Sequence, residues 1–219
     1  MEWTEHFNGW QEAIGKPESD AHLRMEAARK RVRTNTSEDW QWLAKSLAHP
    51  KQKVFVALVF KRQPVPKRLL APFLHAAVMD HDPSRNRLYI EPCIRSWGDR
   101  EVNQRLLRYL ETGSNEEKAG AASAFYWARG NPRDEDTASL NALIRSALLR
   151  EFVRNEDLSV RQRIAPLLNL DTSAYAIEDR QLISEAIEIA RRHADQYIRH
   201  RIEIQMEAGG PCMAIPKIQ

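Results

Sequence analysis

The sequence has few cysteines, few glycines and no long apolar run. Its two cysteines, Cys93 in an apolar stretch and Cys212 in a Gly/Pro-rich tail, are too few for a disulfide framework or a cysteine zinc site. No apolar run approaches the roughly 18 residues of a membrane span, and the first residues lack the basic flank and apolar stretch of a signal peptide. We therefore expect a cytoplasmic protein that does not bind membranes.

Motifs of catalysis and cofactor binding are also missing. There is no Gly-x-Ser-x-Gly turn for a nucleophile and no Gly-rich loop for a phosphate. His193, His200 and Glu203 share one side of a helical pattern, but their spacing matches no zinc or di-iron signature. The sequence therefore predicts no metal and no cofactor, and it disfavours hydrolase and kinase chemistry.

What the sequence does contain is a succession of helical patterns. Strand signals are nearly absent, and the prolines fall between apolar-periodic blocks, as expected for helices joined by short turns. Large apolar residues near the N-terminus recur at helical steps and predict one buried face: Trp3, Phe7, Trp10 and Ile14. Residues 54–60 form a short apolar run that composition alone would also allow as a strand. We assign them to a helix, and predict an all-α fold.

The helical patterns recur in pairs at similar spacing. Cap-like residues open the second helix of each pair: His49, Asp82, Ser114 and Asp157. Four positions further on, a mostly basic column follows: Lys53, Asn86, Lys118 and Arg161. Such periodicity indicates a repeat protein built from helical hairpins.

One copy of this pattern carries a family resemblance. Asp157-Leu158-Ser159-Val160-Arg161-Gln162-Arg163-Ile164 resembles the second helix of HEAT repeats, in which Asp is followed by Val-Arg and then a small or apolar residue. His49 and Ser114 replace that Asp in two other copies. The resemblance covers residues 37–170 in outline and implies an armadillo-like α-α superhelix of about six hairpins or fewer.

The resemblance also predicts the domain organisation. Residues 1–207 would form a single HEAT-like α-solenoid domain, and residues 208–219 would be a flexible tail. Apolar periodicity over residues 176–206 predicts one long C-terminal helix. This helix would cap the stack of hairpins, since a terminal repeat has only one neighbour.

Positive charge is concentrated in one early segment. Residues 22–68 contain twelve basic and three acidic residues, a net charge of +9, whereas the whole chain has a net charge of +3. Solvated outer faces of helices would explain these charges without any function, since lysine and arginine are rarely buried. Alternatively, the segment attracts nucleic-acid phosphates or an acidic protein face.

The basic column has a structural and a functional interpretation. The HEAT resemblance implies that Asp157 with Arg161, and Asp82 with Asn86, form a polar ladder between repeats. Alternatively, basic side chains of the column project onto the inner surface and hold phosphates. The candidate binding residues on this second interpretation are Lys53, Lys118 and Arg161.

A second set of candidate binding residues ends two consecutive second helices. It consists of Arg95, Trp97, Trp127 and Arg129. Second helices line the concave face in HEAT-like solenoids, so these aromatic and guanidinium groups could anchor a partner there. The alternative is that the tryptophans fill gaps between hairpins.

Binding is the function that the sequence favours. We predict a HEAT-like interaction or adaptor protein, bacterial in type, whose concave groove holds an acidic protein or peptide. The alternative is a DNA-binding enzyme similar to bacterial alkylpurine DNA glycosylases, which have HEAT-like repeats and a carboxylate among aromatics in a basic cleft. In that case Asp99, beside Trp97, would be the catalytic carboxylate, and residues 22–68 would contact nucleic acid.

Overall fold

The computed structural model describes residues 2–16, 18–128 and 135–208. These residues form helices and connecting turns, with no strand among them, which confirms the all-α prediction. None of the helices in these ranges is both long and apolar enough to cross a membrane. Arg129, Cys212 and residues 209–219 of the predicted tail lie outside the described residues.

The chain divides into two compact units, and the first spans Met1–Gly98. Its elements are α1 (Trp3–Ala13), α2 (Ala21–Arg31), a 3-10 turn (Val32–Thr34), α3 (Ser37–Ser46), α4 (Gln52–Phe60), α5 (Lys67–Val78) and the start of α6 (Asn86–Thr112). The helical assignment of residues 54–60 is confirmed by α4. Helix α3 contacts both α1 and α5, and α4 contacts α2 and α3.

An aromatic cluster forms the core where α1 meets α4. Phe55 is fully buried, and its ring centroid lies 5.7 Å from that of Phe7 and 5.3 Å from that of Trp10. The ring centroid of Trp3 lies 6.3 Å from that of Phe55. The predicted inclusion of Ile14 in this face is wrong, because α1 ends at Ala13 and Ile14 takes an extended backbone that leaves it 51% exposed.

Gly98 interrupts α6 at the point in the sequence where the first unit ends. Its backbone angles are φ 79° and ψ 159°, a region that L-residues rarely adopt. Glycine therefore permits the break in helical conformation at this residue.

The second unit spans Asp99–Gln219. Its elements are the rest of α6, α7 (Asn115–Ala128), α8 (Glu135–Arg154), α9 (Leu158–Ile164), α10 (Arg180–Arg192) and α11 (Gln196–Ala208), with 3-10 turns at Ala165–Leu167, Thr172–Ala174 and Ile177–Asp179. Helix α9 contacts α7, α8 and α11, and α8 also contacts α10. As in the first unit, helices two apart in the sequence pack side by side.

The predicted long helix over residues 176–206 is wrong. Two helices, α10 and α11, occupy this region and pack against each other. His193 leaves the helical conformation at φ −67° and ψ 138°. The Asp195 carboxylate then accepts a hydrogen bond of 2.9 Å from the Ile198 N–H, which caps the start of α11. Neither glycine nor proline marks this break in the sequence. Apolar periodicity continues through it, so the periodicity alone did not reveal the break.

Polar contacts link neighbouring hairpins within each unit. Lys53 of α4 lies 2.9 Å from Asp80, which follows α5. Lys118 of α7 lies 2.7 Å from Glu151, near the end of α8. Gln162 of α9 donates a 3.0 Å hydrogen bond to Asp195, which follows α10. In each case a second-helix side chain reaches an acidic residue at the end of the next hairpin's first helix.

Candidate functional site

Three residues of the basic column have structural partners. Lys53 forms an ion pair with Asp80, and its side chain is only 13% exposed. Lys118 forms an ion pair with Glu151, and its side chain is only 18% exposed. Arg161 donates to the Phe152 carbonyl oxygen at 3.2 Å, near the end of α8. The two lysines are thus paired with carboxylates and Arg161 with backbone carbonyls, while the phosphate-binding role of all three stays a prediction.

The pairs predicted for the polar ladder are wrong in detail. Asp157 caps α9 by accepting a 3.1 Å hydrogen bond from the Val160 N–H, and the Arg161 guanidinium turns to the α8 carbonyls instead. The side chain of Asn86 is fully buried and has no hydrogen-bond partner in the described part of the chain. An Asp after a turn is equally suited to capping a helix, which explains the difference.

Asp80 anchors the contact between α4 and the start of α6. Its buried carboxylate lies 2.9 Å from Lys53 Nζ and 3.0 Å from Arg85. Burial acts to raise the pKa of Asp80, but the bonds from Lys53 and the Asp82 N–H, together with the positive charge of Arg85, hold it below its usual value. Asp80 is therefore a charged structural residue at neutral pH.

Arg95 and Trp97 hold the loop that joins α4 to α5, residues 61–66. Arg95 donates to the Lys61 carbonyl oxygen at 2.5 Å, and Trp97 Nε1 donates to the Val65 carbonyl oxygen at 2.8 Å. The hydroxyl of Ser96 accepts a 2.8 Å bond from the Val65 N–H. The structure thus brings these two predicted binding residues to one loop, as braces for its backbone.

The remaining predicted site residues lie in the second unit. Asp99 accepts a 2.8 Å bond from the N–H of Arg100, and the half-buried Trp127 contacts the Tyr126 ring edge-on at 4.7 Å. Arg129 lies outside the described residues. Nothing in these contacts identifies Asp99 or Trp127 with a particular chemistry.

Burial raises the pKa of the Cys93 thiol to about 12, so the thiol is neutral and unreactive at pH 7. No group of three or more His, Cys, Asp or Glu side chains that could hold a metal ion occurs among residues 2–16, 18–128 and 135–208.

A groove of about 500 Å³ opens on the first unit, where the end of α2, the start of α3 and residues 61–66 meet. We call it the basic groove. Its lining consists of Val32, Arg33, Trp40, Arg62, Gln63, Pro64 and Pro66. Both arginines are exposed, and the Arg62 side chain is 75% accessible. All of these residues lie within or beside the basic segment 22–68.

Local hydrogen bonds fix the shape of this groove. Gln63 Nε2 donates to the Arg29 carbonyl oxygen at 2.6 Å, and Arg29 donates to the Leu58 carbonyl oxygen at 3.0 Å. The two bonds tie the end of α2 to the end of α4. Pro64 and Pro66 further restrict the loop backbone, because the proline ring fixes φ. The groove is therefore preformed.

Most of the cations in segment 22–68 have no carboxylate partner. Five of the twelve lie within ion-pair distance of one: Arg24, Arg29, Arg31, Lys53 and Arg62. Seven have none in the described part of the chain: Lys30, Arg33, Lys45, Lys51, Lys61, Lys67 and Arg68. The positive charge around the groove is thus largely uncompensated.

The start of α5 adds to this positive charge. Lys67 and Arg68 occupy its first turn, which contains no acidic residue. The helix dipole disfavours cations at that position. The Arg68 guanidinium lies 5.4 Å from the centre of the Trp40 ring and covers one side of it. The two cations at the start of α5 are therefore electrostatically unfavourable for the isolated helix.

The groove itself was not predicted from the sequence. The basic segment is visible in the sequence, but no sequence signal indicates that the half-buried Trp40 lines a groove. The available signal was Pro64 and Pro66 between two cationic pairs, Lys61-Arg62 and Lys67-Arg68.

Comparisons of this chain with models of known protein families, with curated proteins and with solved structures find no match. The HEAT-repeat interpretation therefore depends on the pattern of residues 157–164 and on the helix contacts within each unit.

Proposed function

We propose that this protein is a HEAT-like helical-repeat adaptor that binds an acidic protein partner through the basic groove. The observation that carries the proposal is the uncompensated charge of this preformed groove. Arg33 has no carboxylate partner in the described part of the chain, and Arg62 approaches Glu26 only to 3.7 Å. Both guanidinium groups are exposed, and their planar donors suit bidentate bonds with carboxylates of a partner.

The braced loop supports the proposal on energetic grounds. Binding is weakened when flexible segments must be ordered at the interface. Bonds from Arg95, Trp97 and Gln63 already order residues 61–66. Arg95 and Trp97 are therefore positioning residues in this proposal, rather than contacts with the partner.

The helix contacts support the HEAT-like part of the proposal. Alternate helices pack side by side within each unit, and side chains at similar positions link successive hairpins. Stacked hairpins of this kind form superhelical solenoids, which offer extended surfaces for binding.

A charge-matched pair of double variants tests the proposed function. The groove variant is Arg33→Gln with Arg62→Gln, and the control is Lys45→Gln with Lys51→Gln, which removes two cations that do not line the groove. Binding of a fluorescein-labelled, glutamate-rich 12-residue peptide is measured by anisotropy. We expect about tenfold weaker binding for the groove variant. Equal effects of the two double variants would contradict a localised site.

The runner-up is the DNA-binding enzyme of the alkylpurine DNA glycosylase type, favoured by the same positive charge. If it is correct, the unaltered protein releases alkylated bases from duplex DNA. The Asp99→Asn variant then loses this release but keeps its affinity for DNA. Absence of base release by the unaltered protein would remove this candidate.

A further inference from the structure

The lining of the basic groove divides into an apolar wall and a charged part. Val32, Pro64 and Pro66 contribute hydrocarbon surface, and one side of the half-buried Trp40 ring is covered by Arg68. Arg33 and Arg62 carry the charge. A cavity of about 500 Å³ is within the range of about 300–1,000 Å³ that is typical of ligand pockets. The groove therefore offers an apolar surface together with two cations.

Gln63 supplies a hydrogen-bond acceptor to the same groove. Its Nε2 donates to the Arg29 carbonyl oxygen at 2.6 Å, which fixes the orientation of the amide. Because Nε2 is the amide atom that forms this bond, Oε1, which can only accept, remains for solvent or a ligand. A peptide backbone offers an N–H donor to such an oxygen, whereas a phosphodiester backbone offers none.

The aromatic content of the groove also favours a peptide over a nucleic acid. Proteins that bind single strands without sequence preference stack successive bases on several aromatic side chains. Trp40 is the one aromatic side chain among the described residues that line this groove, and Arg68 covers one of its faces. Proline surfaces at Pro64 and Pro66 instead suit a large apolar side chain.

We infer that the basic groove recognises a short acidic peptide segment with a large apolar anchor residue, an inference that rests on the proposed function. The anchor packs between Trp40 and the two prolines. Carboxylates on either side of it pair with Arg33 and Arg62. A backbone N–H next to the anchor donates to Gln63 Oε1.

The test begins with selection from a display library of random 12-residue peptides on the full-length protein. The Arg33→Gln, Arg62→Gln variant serves as the counter-selection target, after its circular dichroism has been matched to that of the unaltered protein. We expect the selected peptides to combine acidic residues with one large apolar residue.

The best selected peptide is then compared with two altered forms by anisotropy. Replacing the anchor by Gly is expected to weaken binding about tenfold or more, because the buried apolar area is lost. Methylating the backbone nitrogen next to the anchor is expected to weaken it about threefold or more, because one hydrogen bond is lost. A 12-nucleotide single-stranded DNA is expected to compete poorly with the peptide for the groove when the two are compared at equal concentration of negative charge.

The possible failures are distinguishable. In one outcome, acidic peptides bind in an arginine-dependent manner, but bind equally well with Gly at the anchor position or with the methylated nitrogen. This result overturns the peptide-anchor inference and leaves the proposed function standing. Selected peptides that lack acidic residues, or that bind the double variant normally, overturn both. DNA that competes better than the peptide overturns the inference in favour of a nucleic-acid ligand.

Discussion

The basic groove of the first unit and the α7–α9 region of the second unit use cations in opposite ways. Lys118 is paired with Glu151, and Arg161 donates to the carbonyl of Phe152. Arg33, by contrast, lines a groove and has no carboxylate partner in the described part of the chain. Lys118 and Arg161 at repeat positions therefore hold helices together, whereas Arg33, outside the repeat column, has no such partner among the described residues.

The strongest way to sharpen this comparison is to remove a carboxylate that a repeat cation needs. Asp80→Asn leaves Lys53, only 13% exposed, without a charged partner. Loss of one member of a buried pair is strongly destabilising, so the free energy of unfolding should fall by about 3 kcal/mol in urea denaturation. Asp82→Asn, at a carboxylate that is 47% exposed, is the control and should cost less than about 1 kcal/mol. Equal losses would contradict the structural role of Asp80.

Acid should remove the same stabilisation. The pKa of Asp80 is below its usual value of 3.8 in the folded protein. Its contribution to stability is therefore fully present above that usual value and is lost as the pH falls through the lowered pKa. Urea denaturation between pH 6 and the acid range should show a smaller pH dependence for Asp80→Asn than for the unaltered protein. Parallel curves would show that another carboxylate controls acid unfolding.

A direct comparison of the two regions comes from matched methionine variants. Lys118→Met leaves Glu151, which is 16% exposed, without its cation. The free energy of unfolding should therefore fall by about 2 kcal/mol. Arg33→Met removes an unpaired, exposed cation and should change stability by less than about 0.5 kcal/mol. Thermal and urea unfolding of both variants provide the measurement. A larger loss for Arg33→Met would reverse the proposed division of roles.

A smaller effect is expected at the brace of the loop. Trp97→Phe removes the hydrogen bond to the Val65 carbonyl oxygen and should cost about 1 kcal/mol, with weaker binding of the acidic peptide. Trp42→Phe removes a comparable 3.0 Å bond to Thr4 and should lower stability without affecting binding. If both variants bound the peptide as the unaltered protein does, Trp97 would have no positioning role.

Local patterns in the sequence predicted much of the fold. Helical periodicity and turn residues were sufficient to predict the all-α class and the helix at residues 54–60. The break between α10 and α11 was missed, because its capping residue Asp195 follows no glycine or proline. The ladder partners were missed because Lys53 of α4 reaches Asp80, which lies beyond α5, and such a contact depends on tertiary packing.

The candidate site was predicted only in part. Net charge located the basic segment, since charge is a property of the sequence itself. Whether a cation is paired depends on neighbours distant in the chain, as for Lys118 and Glu151. The groove joins Arg33 to Arg62 through two helix ends and a braced loop, and no sequence motif encodes that proximity.

The most direct test of the account is to map the acidic peptide onto the isotope-labelled full-length protein by NMR. Chemical-shift changes are expected at residues 30–40 and 61–68, including the Nε–H signals of Arg33 and Arg62. Little change is expected at Lys118, Trp127 and Arg161. Changes concentrated at those three residues, or no changes at saturating peptide, would contradict the assignment of binding to the basic groove.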